Sequence, residues 1–459
     1  MWRVCSTPRH TARSADMPYT PHTPLDVEQM LATIGAASID DLFREIPENL
    51  RVKGQLDMPG YLDEDRLFRH LAEVSSRNIN LVDHVCFLGA GIYDRFIPAS
   101  VGAVISRGEF LTAYTPYQPE LSQGYLQTIY EFQTMIADLY GMDLANASMY
   151  DGATSMAEAA ILSHGLNGRS KIGVSRGVHP HYRQVLKTYC WSVDLDLVEI
   201  DTTNGATTDY SAVNDEFACI IVQYPNFFGT IEDLALARAE ADRTGAMFIV
   251  VADPTACALL KPPGEFGADI VVGEGQPLGI AMGFGGPMLG LFACKQEHVR
   301  RIPGRIVGRT VDHDGNPGFC MTLRTREQDI RREKATSNIC TNEALMGLAA
   351  TVYMTVMGKN GMKQVAESSV RNTQYAIKKL TEAGGKLRFD NRVFGEFVLE
   401  LPSDPSIVRD ELLEKGILAG LPLGPYYPEL KNCLLIAVTE TRSKEQIDDF
   451  AAKLAAALA

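Results

Sequence analysis

The sequence predicts an α/β fold: a large domain with a mostly parallel sheet covered on both faces, then a smaller C-terminal α/β domain. Three observations carry this. Strand candidates alternate with helical stretches at KIGVS (171–175), LDLVEI (195–200), ACIIVQ (218–223), MFIVVA (247–252), DIVVG (269–273) and LGLFAC (289–294). Several of these are near-continuous apolar runs, the pattern of strands buried on both faces. Two of the runs end in polar residues, Asp253 after one and Glu274-Gly275-Gln276 after the other, and a glycine-rich turn at 283–287 follows. Open α/β sheets present their sites at such strand ends. The pattern then restarts near the C-terminus. Asp404 with Pro405 opens a helix, LLIAVTET (434–441) reads as a strand, and Ser443 with Gln446 is a capping box before Ile447, Phe450 and Leu454.

From the start, MWRVCSTPRHTARSAD carries Arg3, Arg9 and Arg13 with no acid before Asp16. That composition is open to two readings, a transit peptide or an extension upstream of a start at Met17. Residues 17–90 read as a helical arm. VEQMLATIG and IDDLFREIP are short amphipathic pieces, and Leu62, Leu67, Leu71 and Val74 recur at helical spacing. The Gly-Ala-Gly ending at Gly91 lacks the strand–glycines–helix setting of a dinucleotide loop and reads as a tight turn.

Residues 91–340 are expected to form the large domain. YTPYQPELSQG (114–124) is irregular and stiffened by Pro116 and Pro119; a helix follows with Leu126, Ile129, Phe132, Ile136 and Leu139 on one face. At Tyr150-Asp-Gly-Ala-Thr-Ser, Gly152 and Ala153 let the backbone turn closely. Thr154 and Ser155 suit an N-cap, with helix continuing over 156–162. The free N–H groups of such a terminus can hold an anion. Residues 300–340 concentrate Arg300, Arg301, Arg305, Arg309, Arg324, Arg326, Arg331 and Arg332; a solvated face and an anion- or partner-facing surface both fit. A continuous apolar helix over 342–357 leads into the small domain, 341–459.

At 459 residues the chain has room for two or three domains. Its formal charge of −14 argues against a nucleic-acid surface. No apolar run approaches the roughly 18 residues of a spanning helix, so no membrane association is expected. Nine cysteines lie scattered with no C-x-x-C pair, several inside apolar runs. They read as buried free thiols in a reducing cytoplasm, not as a disulfide framework or zinc site. His179-x-His181 lacks a third ligand at metal-binding spacing, so no metal is expected.

The placing of Asp253 and of 274–276 at successive strand ends is the layout of aminotransferase-like, fold type I pyridoxal-phosphate enzymes. In those, an Asp faces the pyridinium nitrogen and a lysine after the next strand forms the Schiff base. Here Asp253 is in place, but the lysine position holds Gln276, which cannot form an imine. Lys261 precedes the relevant strand and Lys295 ends the next. The segments 114–124, MYDGATSMAEA (149–159), VGEGQPLG (272–279), GFGGPMLG (283–290) and RTREQDIRREKATSNICT (324–341) complete the match. From residue 17 to its end the chain resembles subunit 1 of glycine dehydrogenase (decarboxylating), the P-protein of the glycine cleavage system.

The resemblance implies a heterotetramer, two copies each of this chain and a subunit 2 whose lysine carries pyridoxal phosphate. Together they would decarboxylate glycine and pass its aminomethyl group to the lipoyl arm of H-protein. Gly152, Ala153, Thr154, Ser155, His179, Asp253 and Gln276 would be a vestigial cofactor pocket with nothing covalently bound. Tyr114, Thr115, Tyr117, Gln118, Glu120 and Ser122 would form a loop facing the partner's active site, or else pack on their own domain. Arg324, Arg331, Lys334, Thr336, Ser337 and Asn338 would face the partner or its phosphate, or else make structural salt bridges. Two rival readings are a stand-alone pyridoxal-phosphate decarboxylase using another lysine, and a non-catalytic scaffold for subunit 2.

Overall fold

The computed structural model describes residues 22–54 and 56–459. Cys5, the arginines at 3, 9 and 13, Asp16 and the expected start at Met17 lie outside the described residues. The described residues divide into two compact units, one ending at Asn78 and the other spanning Ile79–Ala459.

In the first unit, α1 (Pro24–Ile34) begins at a reciprocal cap. Thr23 Oγ1 accepts from Asp26 N–H at 3.3 Å, and the Asp26 carboxylate accepts from Thr23 N–H at 2.7 Å. The second expected piece, at 39–47, forms only the 3₁₀ turn Asp40–Phe43. Helix α2 (Glu64–Ser75) starts at an Asp63 cap. The arm itself buries no residue of α1 or α2, and the expected core positions Leu62, Leu67, Leu71 and Val74 are exposed. Two short helices have too little surface between them to enclose an apolar face. Val85 and Cys86 pair in parallel with Ile417 and Leu418, so the chain from 79 onward belongs with the second unit.

The second unit contains both the large and the small sheet. Helix α3 (Gln123–Tyr140) buries Leu126, Ile129, Phe132 and Ile136, with Leu139 half-buried, and ends at Gly141 in the left-handed region (φ 67°). The short strand β1 (Leu144–Ala145) leads to α4 (Gly152–Asn167). Neither Thr154 nor Ser155 caps α4; Asp151 does. Its carboxylate accepts Thr154 N–H at 2.8 Å, while Thr154 Oγ1 accepts Asp151 N–H at 3.3 Å. Asp151 is extended (φ −158°, ψ 174°), as an N-cap residue must be. Then come β2 (Lys171–Ser175), α5 (Pro180–Ser192), β3 (Asp196–Ile200), β4 (Phe217–Tyr224), α6 (Leu234–Thr244), β5 (Met247–Ala252), β6 (Ile270–Glu274) and β7 (Gly290–Cys294).

The sheet runs in the order β1-β7-β6-β5-β4-β2-β3. Strands β2 to β6 are parallel; β7 and β1 join antiparallel at one edge. Strand β5 shows why its run is apolar throughout. Phe248, Val250 and Ala252 pack on one face with Phe132 and Ile136 of α3 and Leu234 of α6. Ile249 and Val251 pack on the other with Met156 of α4 and Leu186 of α5.

Residues 300–340, read from sequence without strands, contain an antiparallel hairpin, β8 (Ile306–Val311) and β9 (Pro317–Thr322). Its turn is built by Asp312 Oδ1, which accepts Asp314 N–H and Asn316 N–H, with Gly315 at φ 85°. Helix α7 (Ala344–Glu382) is longer than the 342–357 expected, and it is two helices. Gly358 at φ 58°, ψ −178° breaks the spiral where the expected helix ends.

The small sheet has the order β10 (Lys386–Leu387), β11 (Glu396–Glu400), β13 (Cys433–Ala437), β12 (Leu421–Pro422). It packs on Ala376 and Leu380 of α7, on Val408 and Leu412 of α8 (Pro405–Glu414), and on Phe450 and Leu454 of α9 (Lys444–Leu458). The expected strand over 434–441 is paired only as far as Ala437. Beyond it Thr439 and Glu440 turn to bond residues 94–96.

Candidate functional site

The parallel strands deliver Pro225, Asp253 and Glu274 to one edge of the sheet, where they line a cavity of about 50 Å³. The second strand-bearing layer closes it: Glu396 and Thr439 come from the small sheet's side, Tyr93 and Arg95 from the loop before α3. Asp253 follows β5 directly, and its Oδ1 accepts Thr255 N–H at 2.7 Å and Ala256 N–H at 3.2 Å. His179 is buried in the wall, stacked on Tyr182 with ring centroids 4.8 Å apart. Its Nε2 bonds the Ala90 carbonyl at 2.8 Å, and its Nδ1 accepts His181 N–H at 3.1 Å. Those partners set the neutral tautomer with the proton on Nε2, and burial holds the pKa down to about 4.

Gln276, 2% exposed, is held by the backbone at both ends of its amide. Oε1 accepts Tyr93 N–H at 2.9 Å, and Nε2 donates to the carbonyls of Tyr93 at 3.1 Å and Ile280 at 2.8 Å. It thus ties the loop at Tyr93 to the segment after β6. No side chain with an amine could make the same pattern, because the Tyr93 N–H requires an acceptor.

The anion cup expected at Gly152 to Ser155 is already filled by the chain itself. Glu274 Oε2 accepts Gly152 N–H at 3.0 Å; Oε1 accepts Gln276 N–H and Leu289 N–H, each at 3.0 Å. Asp151 takes Thr154 N–H, and Thr154 Oγ1 takes Asp151 N–H. Of the donors at the start of α4, only Ala153 N–H is left without a partner among the described residues. A pyridoxal phosphate does not fit these residues: the imine-forming position is a clamped amide, and the phosphate donors are spent on carboxylates.

Sequence reasoning missed Tyr93, Arg95, Glu274's role and Glu396. Glu396 sits at the start of β11, accepting Ala90 N–H at 2.7 Å and the Tyr93 hydroxyl at 2.9 Å. The only signal in the chain is an acid next to an apolar run, FGEFVLE. Burial pushes Glu158, Glu274 and Glu396 each up to about 7. A carboxyl with a raised folded pKa binds protons more readily folded than unfolded, so its contribution is lost as pH rises through 7. His179, shifted down, acts only below 6.5. The urea midpoint is therefore expected to fall between pH 6.5 and 8, by on the order of 2 kcal/mol for the three together, and the slope to be shallower in Glu274→Gln. A midpoint rising over that range would contradict the burial argument.

The other predicted residues gather away from this cavity. Tyr114, Tyr117, Gln118 and Glu120 are exposed, Thr115 and Ser122 half-buried. Arg305, 5% exposed, fastens this loop. Its guanidinium donates to Thr115 Oγ1 (2.8 Å), the Tyr117 hydroxyl (3.1 Å), Thr341 Oγ1 (3.1 Å) and the Cys340 carbonyl (2.7 Å). Arg305 thus joins two segments that sequence reasoning treated separately. It had counted Arg305 only as one of many arginines; its place beside the apolar Ile306-Val307 was the available signal. Arg324 lies 5.3 Å from the Tyr117 ring and pairs with Asp329 at 2.8 Å. Arg331 and Thr336 line a cleft with Arg300, Arg301 and Arg326, whose buried Nε and Nη2 have no partner. Lys334 and Asn338 are exposed, and Ser337 Oγ accepts Ile339 N–H at 3.2 Å.

Among the described residues, no group of three or more His, Cys, Asp and Glu could hold a metal ion, and no helix is long and apolar enough to cross a membrane. The described cysteines are free, Cys340 exposed, Cys320 half-buried and the others buried.

A family model described as "Glycine cleavage system P-protein" matches residues 17–454. The chain is 51% identical over 440 residues to the probable glycine dehydrogenase (decarboxylating) subunit 1 of Anoxybacillus flavithermus, covering 95% of this chain and 98% of that one. It is 50% identical over 436 residues to the protein of the same description from Halalkalibacterium halodurans, covering 94% and 98%. A crystal structure of glycine decarboxylase (P-protein) of the glycine cleavage system, in inhibitor-bound form, superposes with a TM-score of 0.88 at 43% identity, over 96% of this chain and 100% of that one. The cysteine desulfurase of Thermococcus onnurineus shares the fold alone, at TM-score 0.62 and 16% identity, over 84% and 98%. The fold is thus aminotransferase-like, of type I, and the chain belongs to the glycine cleavage system P-protein family.

Proposed function

We propose that this chain is the subunit of a cytoplasmic glycine decarboxylase that lacks the Schiff-base lysine. It would pair with a lysine-bearing subunit 2, two copies of each, to release CO₂ from glycine and pass the aminomethyl group to the lipoyl arm of H-protein. The observation that carries the reading is Gln276: the residue in the Schiff-base position is an amide locked to Tyr93 and Ile280. The pyridoxal phosphate then belongs to the partner, where its ring supplies the electron sink for decarboxylation. What this chain brings is a surface. Tyr114, Leu121 and Phe284 are 77%, 81% and 95% exposed, and Arg326 and Glu327 carry buried polar atoms without partners. Exposed aromatics and unsatisfied charged groups are each features of an interface that a second chain completes. Arg305 fixes the 114–122 loop in advance, so less order is lost on docking.

Borohydride reduction of the assembled enzyme is expected to leave a pyridoxyl-lysine peptide in subunit 2; one from this chain would favour the stand-alone decarboxylase. Tyr117→Phe and Glu120→Gln are expected to lower glycine–CO₂ exchange per intact tetramer by about 10²-fold, the loss of one transition-state contact. Unchanged exchange with full assembly would leave the chain a scaffold.

A further inference from the structure

We propose that the basic cleft formed by the turn after β7 and the segment after β9 docks an acidic surface of the partner chain, and that its charge steers the two subunits together. The partner is subunit 2, and in that the proposal rests on the decarboxylase reading. Three segments build the cleft. The 3₁₀ turn Gln296–His298 leads the chain from β7 towards Arg300 and Arg301. The turn Arg324–Arg326 follows β9 and supplies Arg326; the one-turn helix Gln328–Arg331 supplies Arg331. Thr325 and Thr336 add hydroxyls, and no carboxylate lines the cleft.

Arg300, Arg301 and Arg331 are exposed, and among the described residues no acid lies within ion-pair distance of any of them. Arg326 is half-buried; its Nη1 donates to the Ile302 carbonyl, and its Nε and Nη2 are enclosed without an acceptor. It adds charge to the cleft and no free donor. The acids nearby are committed. Asp329 pairs with Arg324 at 2.8 Å. Glu327 stands 3.7 Å from Arg305 and is shared with Arg326 and Arg324. Glu297 lies 3.7 Å from His298. A guanidinium does not give up its proton. The cleft is therefore a fixed cationic surplus in a chain whose net charge is −14.

The cleft continues a face that is itself unfinished. Arg324, in the same turn as Arg326, lies 5.3 Å from the ring of Tyr117 in the 114–122 loop. Arg305 Nε, Arg324 Nε and Glu327 Oε1 are buried there without a hydrogen-bond partner. Guanidiniums spread over three segments match carboxylates spread over a protein surface, each taken by a planar fork. Their field reaches about 8–10 Å at physiological salt. Such charge raises the rate of encounter more than it holds the finished complex.

Association of the full chain with subunit 2, followed by stopped-flow fluorescence, tests this. The on-rate is expected to fall about tenfold or more between roughly 50 and 500 mM salt. Arg300→Gln, Arg301→Gln and Arg331→Gln together should lower the low-salt on-rate about tenfold and flatten its salt dependence. Arg309→Gln, exposed on β8 and outside the cleft, should associate at the wild-type rate. Arg331→Lys keeps the charge and loses the fork, so it should associate normally and dissociate several-fold faster. If the triple variant does not fold, Arg331→Gln alone, about two- to threefold slower at low salt, decides the matter. An on-rate indifferent to salt, Arg309→Gln slowed as much as Arg331→Gln, or wild-type on-rates in the cleft variants would overturn the proposal and leave the decarboxylase reading standing. No association at all would overturn both.

Discussion

Replacing Glu274 with alanine is expected to destabilise the chain by roughly 3–6 kcal/mol, because three buried backbone donors lose their common acceptor at about 1–3 kcal/mol each. The donors come from three places, the start of α4, the second residue after β6 and the residue before β7. No neighbour is placed to replace the carboxylate, since Asp151 is committed to Thr154. The same loss opens the cup. Gly152 N–H joins Ala153 N–H as a free donor at a helix N-terminus, a geometry that takes anions. Inorganic phosphate should therefore raise the urea midpoint of Glu274→Ala while leaving the wild type unmoved. Glu274→Gln should fall between, because an amide can serve Gln276 and Leu289 with its oxygen but presents a donor to Gly152 N–H. A change below about 1 kcal/mol in Glu274→Ala, by urea denaturation, would show that the carboxylate does not replace a bound anion.

The sheet was legible because its strands are buried on both faces. A run such as 247–252 is apolar at every position and needs no period to be found; its bounds agree with β5 to the residue. The hairpin at 306–322 was not legible because its strands are only partly buried, and the arginines that mark a polar surface hide the alternation. Helix α7 was legible up to Gly358, where its apolar character drops and the backbone breaks; the remainder, more polar and packed on the small sheet, escaped. The site divides in the same way. Asp253 and Gln276 could be named because each follows a recognisable strand. Tyr93, Arg95 and Glu396 could not, because they reach the cavity from segments remote in sequence, and only packing brings them there. The cap was misassigned for a chemical reason. Asp151, Thr154 and Ser155 are all capable N-cap residues, and the extended backbone that distinguishes them is not written in residue type.

Removing the guanidinium of Arg305 is expected to free the 114–122 loop and the 337–341 segment together. Arg305→Met keeps an unbranched apolar stem but deletes donors to Thr115, Tyr117, Cys340 and Thr341. It also leaves the Glu327 carboxylate, 9% exposed, without the cation 3.7 Å away. Breaking a buried charge pair on one side costs roughly 3–5 kcal/mol. Both segments lie at the surface, so the loss should appear first as local opening, not global unfolding. Amide exchange at Tyr117, which bonds the Thr115 carbonyl, and at Cys340, which bonds the Tyr150 hydroxyl, should speed up by on the order of 10²-fold or more. Amides of β5, deep in the sheet, should keep their protection. Arg305→Lys should not rescue, because a single ammonium cannot fork between the two segments. If the two segments opened independently, Tyr117→Phe would loosen the loop and leave Cys340 unaffected, whereas Arg305→Met would loosen both. Exchange unchanged at both amides in Arg305→Met would mean that the loop is held by its prolines alone, and the arginine would lose its place as the element that presents this surface.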